Sequence, residues 1–276
     1  DFGCFTQLLI VDKSTVAAGD EPEPTFVTAM RNGERSCAWL QPVKSVPASS
    51  SLPMITEIPG CRLQVWTLRS PLSDPTLERV TVPGTGRGDP YFCDGLPQAP
   101  QPDTDWRLRT GRRSQPMMQP AFRDGSLWVA TTIGVRTESG DVTGVRWAEI
   151  GGVAGGAPQV LRSGTFRTEH YGFYPAISPN ATGDFVVAYG RSSESLHPSA
   201  YYRFAEAGFP DDSISGPQVL KQGEASLTSG QVLDGAIRFA EFFDVAPDPV
   251  DDGLWMVGQY VVSSDTYDLW VGKVAF

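Results

Sequence analysis

The segment from Gln119 to Thr132 reads QPAFRDGSLWVATT, and the chain repeats its pattern twice further on. Pro175 to Ser192 reads PAISPNATGDFVVAYGRS, and Asp244 to Tyr260 reads DVAPDPVDDGLWMVGQY. Each copy has a short run typical of a strand, a turn that contains Gly, and a second run rich in β-branched and aromatic residues. The pattern therefore predicts the same pair of antiparallel strands three times.

The spacing of these copies indicates a repeating unit. Gly125 and Gly183 are 58 positions apart (183 − 125). A second feature, Pro-Gln-Val-Leu followed by Arg or Lys, starts at Pro158 and again at Pro217, 59 positions later (217 − 158). The third turn, at Gly253, comes 70 positions after the second (253 − 183), so it carries an insertion. A unit of this length made of short strands is typical of a propeller blade, which must stack against like neighbours.

The sequence therefore predicts an all-β fold, with residues 1–276 forming a single β-propeller domain of four-stranded antiparallel blades. The last repeat has three strand-like runs, and we expect the segment from Cys4 to Asp12 to complete its sheet. About five blades are expected if the chain is whole, and six or seven if residues were removed before Asp1. The stretch 83–119, rich in Gly, Pro, Asp and Arg, is expected to be an irregular loop that carries function.

Composition narrows the class of partner. The chain has 29 Gly and 23 Pro in 276 residues, a density that favours many turns and few helices. It has 22 Lys and Arg against 32 Asp and Glu, a net charge of −10, so nucleic acid and anionic membranes are poor partners. No run approaches the roughly 18 apolar residues that a membrane span needs.

The cysteines indicate an oxidising compartment. All of them fall in the first third of the chain, and no pair has the spacing of a zinc site: Cys4, Cys37, Cys61 and Cys93. An even number in an irregular region predicts two disulfides and a secreted, extracellular or periplasmic protein. The alternative is buried free thiols. The start at Asp1, without Met or a signal peptide, is typical of a processed protein.

The last two repeats resemble a family of secreted, sialidase-like β-propeller proteins, mostly of unknown function. The likeness rests on these residues: Tyr174-Pro175-Ala176-Ile177, Gly183-Asp184, Pro198-Ser199-Ala200-Tyr201-Tyr202, Arg238, Asp248-Pro249, Asp252-Gly253 and Leu269-Trp270-Val271-Gly272. It covers roughly Gln98 to Phe276. Where the family has Arg-Trp-Gly-Asp-Tyr-Ser, this chain keeps only Arg238 and an acidic group. Relatives carry more sequence before the position of Asp1, which implies processing or a larger assembly.

The strongest candidates for chemistry lie near the predicted innermost strands. Arg238 and Glu241 are expected on or near the last of these strands, and Arg123 and Asp124 follow an equivalent one. Guanidinium groups pair with carboxylates, so such a cluster could hold an acidic sugar, and Tyr260 with Glu241 could supply the Tyr–Glu pair of a sialidase. The alternative is a structural salt bridge, favoured because the Arg-Ile-Pro signature of sialidases is absent.

Three other features have a functional and an ordinary interpretation. Asp248, Asp251 and Asp252 could bind calcium, the only cofactor that the sequence suggests, or could form a common Asp-Gly turn. Asn180 begins an Asn-Ala-Thr sequon, usable if the source glycosylates. Trp106, in the long loop, is a candidate for stacking on a sugar.

Two functions follow from these patterns. The first is a secreted, non-catalytic binding or assembly module, whose partner is another chain, a cleaved N-terminal portion or a glycan. The second is a sialidase-like, glycan-active hydrolase that uses the Arg and carboxylate cluster in a central channel. Measurable release of sugar separates the two.

Overall fold

The computed structural model describes residues 7–28, 40–45, 52–111, 119–167, 170–208, 210 and 214–276. These residues are almost entirely β-structure, so the all-β prediction is confirmed. The described part contains one short helix, α1 (Lys13–Ala18), which Asp12 caps through a 2.9 Å hydrogen bond from the backbone N–H of Ser14. No helix in these ranges is long and apolar enough to cross a membrane.

The strands are short in the first third of the chain and longer thereafter. In chain order they are β1 (Gln7–Ile10), β2 (Thr25–Thr28), β3 (Gln41–Pro42), β4 (Lys44–Ser45), β5 (Leu52–Ile58), β6 (Arg62–Arg69), β7 (Thr76–Thr81), β8 (Tyr91–Phe92), β9 (Ala99–Gln101), β10 (Thr104–Leu108), β11 (Ala121–Arg123), β12 (Ser126–Val135), β13 (Val142–Gly151), β14 (Gln159–Phe166), β15 (Tyr171–Pro179), β16 (Phe185–Ser193), β17 (Leu196–Ala205), β18 (Gln218–Lys221), β19 (Val232–Leu233), β20 (Ala236–Ile237), β21 (Asp244–Pro247), β22 (Leu254–Ser263) and β23 (Thr266–Val274).

Four antiparallel sheets follow one another along the chain. Sheet one has the order β3-β5-β6-β7, sheet two β11-β12-β13-β14, sheet three β15-β16-β17-β18 and sheet four β21-β22-β23. Strand β4 lies parallel to β11, and β8 pairs with the end of β12, so both extend sheet two. A smaller sheet, β19-β20-β10-β9, combines two distant parts of the chain and is called the loop sheet below.

The predicted repeats occupy equivalent places. Gly125, Gly183 and Gly253 each lie in the turn between the first and second strands of their sheets. Asp124 and Gly125 both have positive φ, the pattern of a type I′ hairpin turn, whose twist matches that of the strands. Gly253 is required for another reason, because a Cβ there would lie 2.3 Å from Cε of Lys273. The Pro-Gln-Val-Leu motifs run into β14 and β18, the fourth strands of sheets two and three.

Apolar side chains between neighbouring sheets hold the series together. One cluster joins Ile55 and Val65 of sheet one to Leu127 of sheet two. A second joins sheets two and three, and a third joins sheets three and four together with the loop sheet. In the second cluster, the ring of Phe185 lies 5.1 Å from that of Trp128 and 4.6 Å from that of Trp147. Burial of each large apolar side chain contributes roughly 1.5–3 kcal/mol.

The N-terminal strand does not lie where it was predicted. The described part of the segment from Cys4 to Asp12 forms β1, which pairs with β2 and not with sheet four. Leu8 and Ile10 of this hairpin pack against the cluster of sheet one that contains Trp66. The prediction is therefore wrong for these residues, because an apolar face of sheet one offers burial closer along the chain.

The stretch 83–119 is also more regular than predicted. Residues within it form β8, β9 and β10, and the last two belong to the loop sheet. The short strands were missed because β9 contains Pro100 and the segment carries little periodicity. Residues 112–118 lie outside the described part.

One predicted disulfide is confirmed, between Cys61 and Cys93, while Cys4 and Cys37 lie outside the described residues. Beside it, Arg146 of sheet two donates a 2.8 Å hydrogen bond from Nη1 to the carbonyl of Cys61. Burial lowers the pKa of Arg146 to about 10 and raises the pKa of Glu57 to about 8. The sequence pattern did not predict this buried acid and base.

Candidate functional site

A cavity of about 630 Å³ lies where the first strands of sheets two, three and four end. Strand β11 contributes Arg123, β15 contributes Pro179, and the turn after β21 contributes residues 248–252. The wall also includes the apolar side chains of Phe122 and Val245. We call this the inner-strand cavity. It brings together Arg123 and the three aspartates that the sequence singled out separately.

Among the described residues, two cationic side chains line the inner-strand cavity, and they differ in how closely each is paired with a carboxylate. Lys44 forms an ion pair with Asp244, and its Nζ lies 3.3 Å from the carbonyl oxygen of Val245. The side chain of Arg123 is 18% exposed, and its Nε lies 3.4 Å from Oδ2 of the exposed Asp124 without a hydrogen bond. Asp124, predicted to bind ligand, does not line the cavity. Arg123 is therefore paired less closely with a carboxylate than Lys44 is.

The acidic turn after β21 is held by Lys273. Its Nζ lies 2.7 Å from Oδ2 of Asp248 and 2.6 Å from Oδ2 of Asp251. The hydrogen bond from Lys273 holds the pKa of Asp248 well below its usual range and lowers that of Asp251 as well. An ammonium group thus lies where the calcium prediction placed a metal ion. Within the described ranges, no group of three or more His, Cys, Asp or Glu side chains could hold a metal.

Asn180 links this turn to sheet three. Its buried Nδ2 donates to Oδ2 of Asp184 at 2.7 Å and to the carbonyl of Asp252 at 2.8 Å. Its Oδ1 accepts hydrogen bonds from the backbone N–H groups of Thr182 and Asp184. The nitrogen that would carry a sugar is thus buried and bonded twice in the folded chain, and glycosylation of Asn180 stays a prediction. Asp252 contributes a backbone carbonyl to this network, not a metal-binding carboxylate.

A second cavity, of about 360 Å³, lies at the other end of β21 and contains Arg238 and Glu241. Arg238 donates from Nε to Oε1 of Glu241 at 2.8 Å, from Nη2 to Oε2, and from Nη1 to Oε1 of Gln231 at 2.7 Å. The bond to Glu241 raises the pKa of Arg238. The fork of the guanidinium is thus occupied by a buried carboxylate of the same chain. We call this the Arg238 cavity.

The tyrosine of the Arg238 cavity is Tyr267, and Tyr260 lies elsewhere. The ring of Tyr260 is edge-on to that of Trp270, with centroids 6.3 Å apart, and Nζ of Lys221 lies 4.9 Å from its centre. Gln259, which precedes Tyr260 in β22, does line the cavity. Because successive strand residues point to opposite faces, Tyr260 points away from the face of β22 that lines the cavity.

Trp106 lies in β10 of the loop sheet and lines neither cavity. It is partly exposed, and its carbonyl accepts a 3.0 Å hydrogen bond from the side chain of Gln101. Sugar stacking at Trp106 stays a prediction for a separate surface.

No protein-family model matches the chain, and no curated protein sequence matches it. Solved structures do match. An α-L-arabinanase of Penicillium chrysogenum, complexed with arabinobiose, has a TM-score of 0.35 and 12% identity, over 90% of this chain and 81% of that chain. The NanB sialidase of Streptococcus pneumoniae has a TM-score of 0.44 and 11% identity, over 99% of this chain and 42% of that chain.

A protein of unknown function from Dyadobacter fermentans is similar at the same level. Its TM-score is 0.39 and its identity 10%, over 98% of this chain and 79% of that chain.

Proposed function

We propose that this chain is a secreted, non-catalytic β-propeller module that binds an acidic glycan, with its four sheets as consecutive blades. One observation carries the proposal: the largely buried side chain of Arg123, whose ion-pair partner Asp124 is exposed, lines a cavity of about 630 Å³ at the ends of the first strands of sheets two, three and four. Pockets for small ligands have volumes of about 300–1,000 Å³. A largely buried guanidinium in such a pocket favours a carboxylate ligand.

The other charges of the inner-strand cavity support binding without turnover. Glycoside hydrolysis needs one carboxyl group that gives up a proton, which requires a raised pKa. Lys273 instead lowers the pKa values of Asp248 and Asp251, so both stay ionised at neutral pH. Their role in this proposal is to fix the turn that forms one wall.

The disulfide supports the compartment in the proposal. Cys61 and Cys93 join the turn before β6 to the segment after β8. Such bonds persist in secreted and periplasmic proteins and are rare in reducing compartments.

Calorimetric titration with N-acetylneuraminic acid and glucuronic acid tests the proposal, with the neutral sugar N-acetylglucosamine as a control. We expect at least one acidic sugar to bind with a Kd of about 1 mM or tighter and the neutral sugar not to bind. Arg123→Gln should weaken binding at least about tenfold, because a charged hydrogen bond is lost. Arg136→Gln, which changes an exposed arginine outside the cavity, should have no effect. Equal binding by the two variants contradicts the proposal.

The second candidate function is a sialidase-like hydrolase that acts in the Arg238 cavity. The observation that favours it is the juxtaposition of Arg238, Glu241 and Tyr267 in one cavity. A panel of fluorogenic glycosides, including a sialoside, tests it with wild-type protein and Glu241→Gln. Turnover that Glu241→Gln abolishes and Arg123→Gln preserves would establish this function in place of the first.

A further inference from the structure

An aromatic ring of sheet three packs against two tryptophans of sheet two, and we call this contact surface of sheet two the socket. Trp128 and Trp147, which are 3% and 2% exposed, lie against the ring of Phe185 from sheet three. The socket comprises four positions on β12 and β13: Trp128, Ala130, Trp147 and Glu149. They are cross-strand neighbours, because Trp128 pairs with Glu149 and Ala130 pairs with Trp147. This face of sheet two therefore points towards the next sheet in the series.

Sheet four carries an equivalent apolar surface, also called a socket below, with Val271 at the position of Trp147 and Lys273 at that of Glu149. The repeated turn aligns Trp255 with Trp128, since each follows the Gly turn at the start of the second strand. Trp255 pairs with Lys273, and Val257 pairs with Val271. These four residues correspond in turn to Trp128, Glu149, Ala130 and Trp147 of sheet two. Here, however, Trp255 is 42% exposed and Val271 is 60% exposed. Leu269, on the same face, is 54% exposed.

The third strand shows the same contrast. The third strands of sheets two and three, β13 and β17, are largely buried, whereas β23 has no buried residue. The outer face of sheet four therefore exposes apolar side chains of the kind that the molecule buries between its other sheets.

The opposite end of the series presents a side chain that fits this socket. The β1–β2 hairpin covers the free face of sheet one through Leu8 and Ile10. The other side of the hairpin exposes Leu9 and Phe26, which are directly paired across the two strands and are 59% and 58% exposed. An exposed Phe on a strand is the counterpart of Phe185.

We propose that two copies of this chain associate head to tail, with Phe26 and Leu9 of one copy seated on Trp255, Leu269 and Val271 of the other. The contact is the inter-sheet interface of sheets two and three repeated between molecules. It uses neither the inner-strand cavity nor the Arg238 cavity for binding, so it is independent of the proposed glycan function.

Charge distinguishes this contact from non-specific attraction. Both surfaces carry an excess of carboxylates: Asp12, Asp20, Glu21 and Glu23 around the hairpin, and Asp248, Asp251, Asp252, Asp265 and Asp268 around the socket. Like charges repel and salt screens the repulsion. Association through apolar side chains should therefore strengthen as the salt concentration rises.

Sedimentation velocity of the full chain, up to about 100 μM, tests the proposal. We expect wild-type protein to associate, and Val271→Asp and Phe26→Ser each to weaken association at least about tenfold, since each disrupts an apolar contact. The matched controls are Val219→Asp and Leu72→Ser, which alter similarly exposed apolar residues elsewhere and should associate like wild type.

Mixing the two monomeric variants gives the sharpest result. Phe26→Ser keeps an intact socket and Val271→Asp keeps an intact hairpin, so their mixture should form dimers and nothing larger. Circular dichroism and urea midpoints equal to wild type show that both variants fold. A wild-type monomer across the range, no dimer on mixing, or association that salt weakens would each overturn the proposal.

Discussion

Replacing Phe185 with Ala should destabilise the protein more than any change at an exposed aromatic residue. The ring is 1% exposed and lies between Trp128 and Trp147, with ring centroids 5.1 and 4.6 Å away. The guanidinium of Arg162 lies 5.9 Å from the same ring. Truncation of a buried Phe costs about 3–5 kcal/mol, and aromatic pairs contribute about 0.5–1.5 kcal/mol of such a loss.

Urea denaturation, followed by tryptophan fluorescence and by circular dichroism, measures this cost. Phe185→Leu keeps most of the apolar volume and should cost about 1.5 kcal/mol or less. Phe276→Ala removes a ring that is 41% exposed and should cost less than about 1 kcal/mol. A free-energy loss for Phe185→Ala as small as that for Phe276→Ala would refute the packing of sheet three into the socket of sheet two.

Three further predictions follow from the polar groups. Burial raises the pKa of Glu57 from 4.5 to about 8, so between these pH values the folded chain keeps a proton that the unfolded chain releases, and stability should fall as pH rises. Urea midpoints measured across this range should lose the slope in Glu57→Gln, and a slope that persists in the variant contradicts the prediction. The hydrogen bond from Lys273 lowers the pKa of Asp248 from its ordinary value of 3.8, and the indole N–H of Trp255 donates to the same carboxylate. The NMR signal of this indole N–H should therefore shift only as pH falls below 3.8, and a shift near neutral pH refutes the pairing of Lys273 with Asp248. Asn180→Ala should lower the free energy of unfolding by about 2 kcal/mol, since Asp184 and the carbonyl of Asp252 lose a hydrogen-bond donor. An unchanged urea midpoint would count against this network.

The repeat was predictable because turn chemistry and strand alternation are local. Gly125 and Gly183 mark turns that need positive φ, and the strands after them alternate in a way that sheet packing requires. The same local signals placed Arg123 beside the turn that follows the first strand of its repeat, and Arg123 is the last residue of β11. Three of the four main sheets could be anticipated in outline from this periodicity.

Long-range contacts were not predictable from the sequence. Lys44 meets Asp244 across 200 positions, and Lys273 reaches Asp248 from a strand that follows it by 25 residues. No local pattern specifies either contact. The position of Tyr267 in the Arg238 cavity also depends on a cross-strand register, the pairing of Tyr267 with Val261, that the sequence does not specify.

The position of the N-terminal strand was also decided by tertiary packing. The strand pattern of β1 was recognised, but its partner depends on which apolar face lies nearest. Sheet one offers Met54, Trp66 and Leu68, against which Leu8 and Ile10 pack and are partly buried. Pairing with sheet four would have required a closed ring that the described sheets do not form.

Crystals of the protein soaked with N-acetylneuraminic acid and, separately, with glucuronic acid test the central claim most directly, because the two cavities lie at opposite ends of β21. We expect density for at least one of the two sugars in the inner-strand cavity, with its carboxylate within hydrogen-bond distance of Arg123. Density beside Arg238 and Glu241, or none in either cavity, would contradict it.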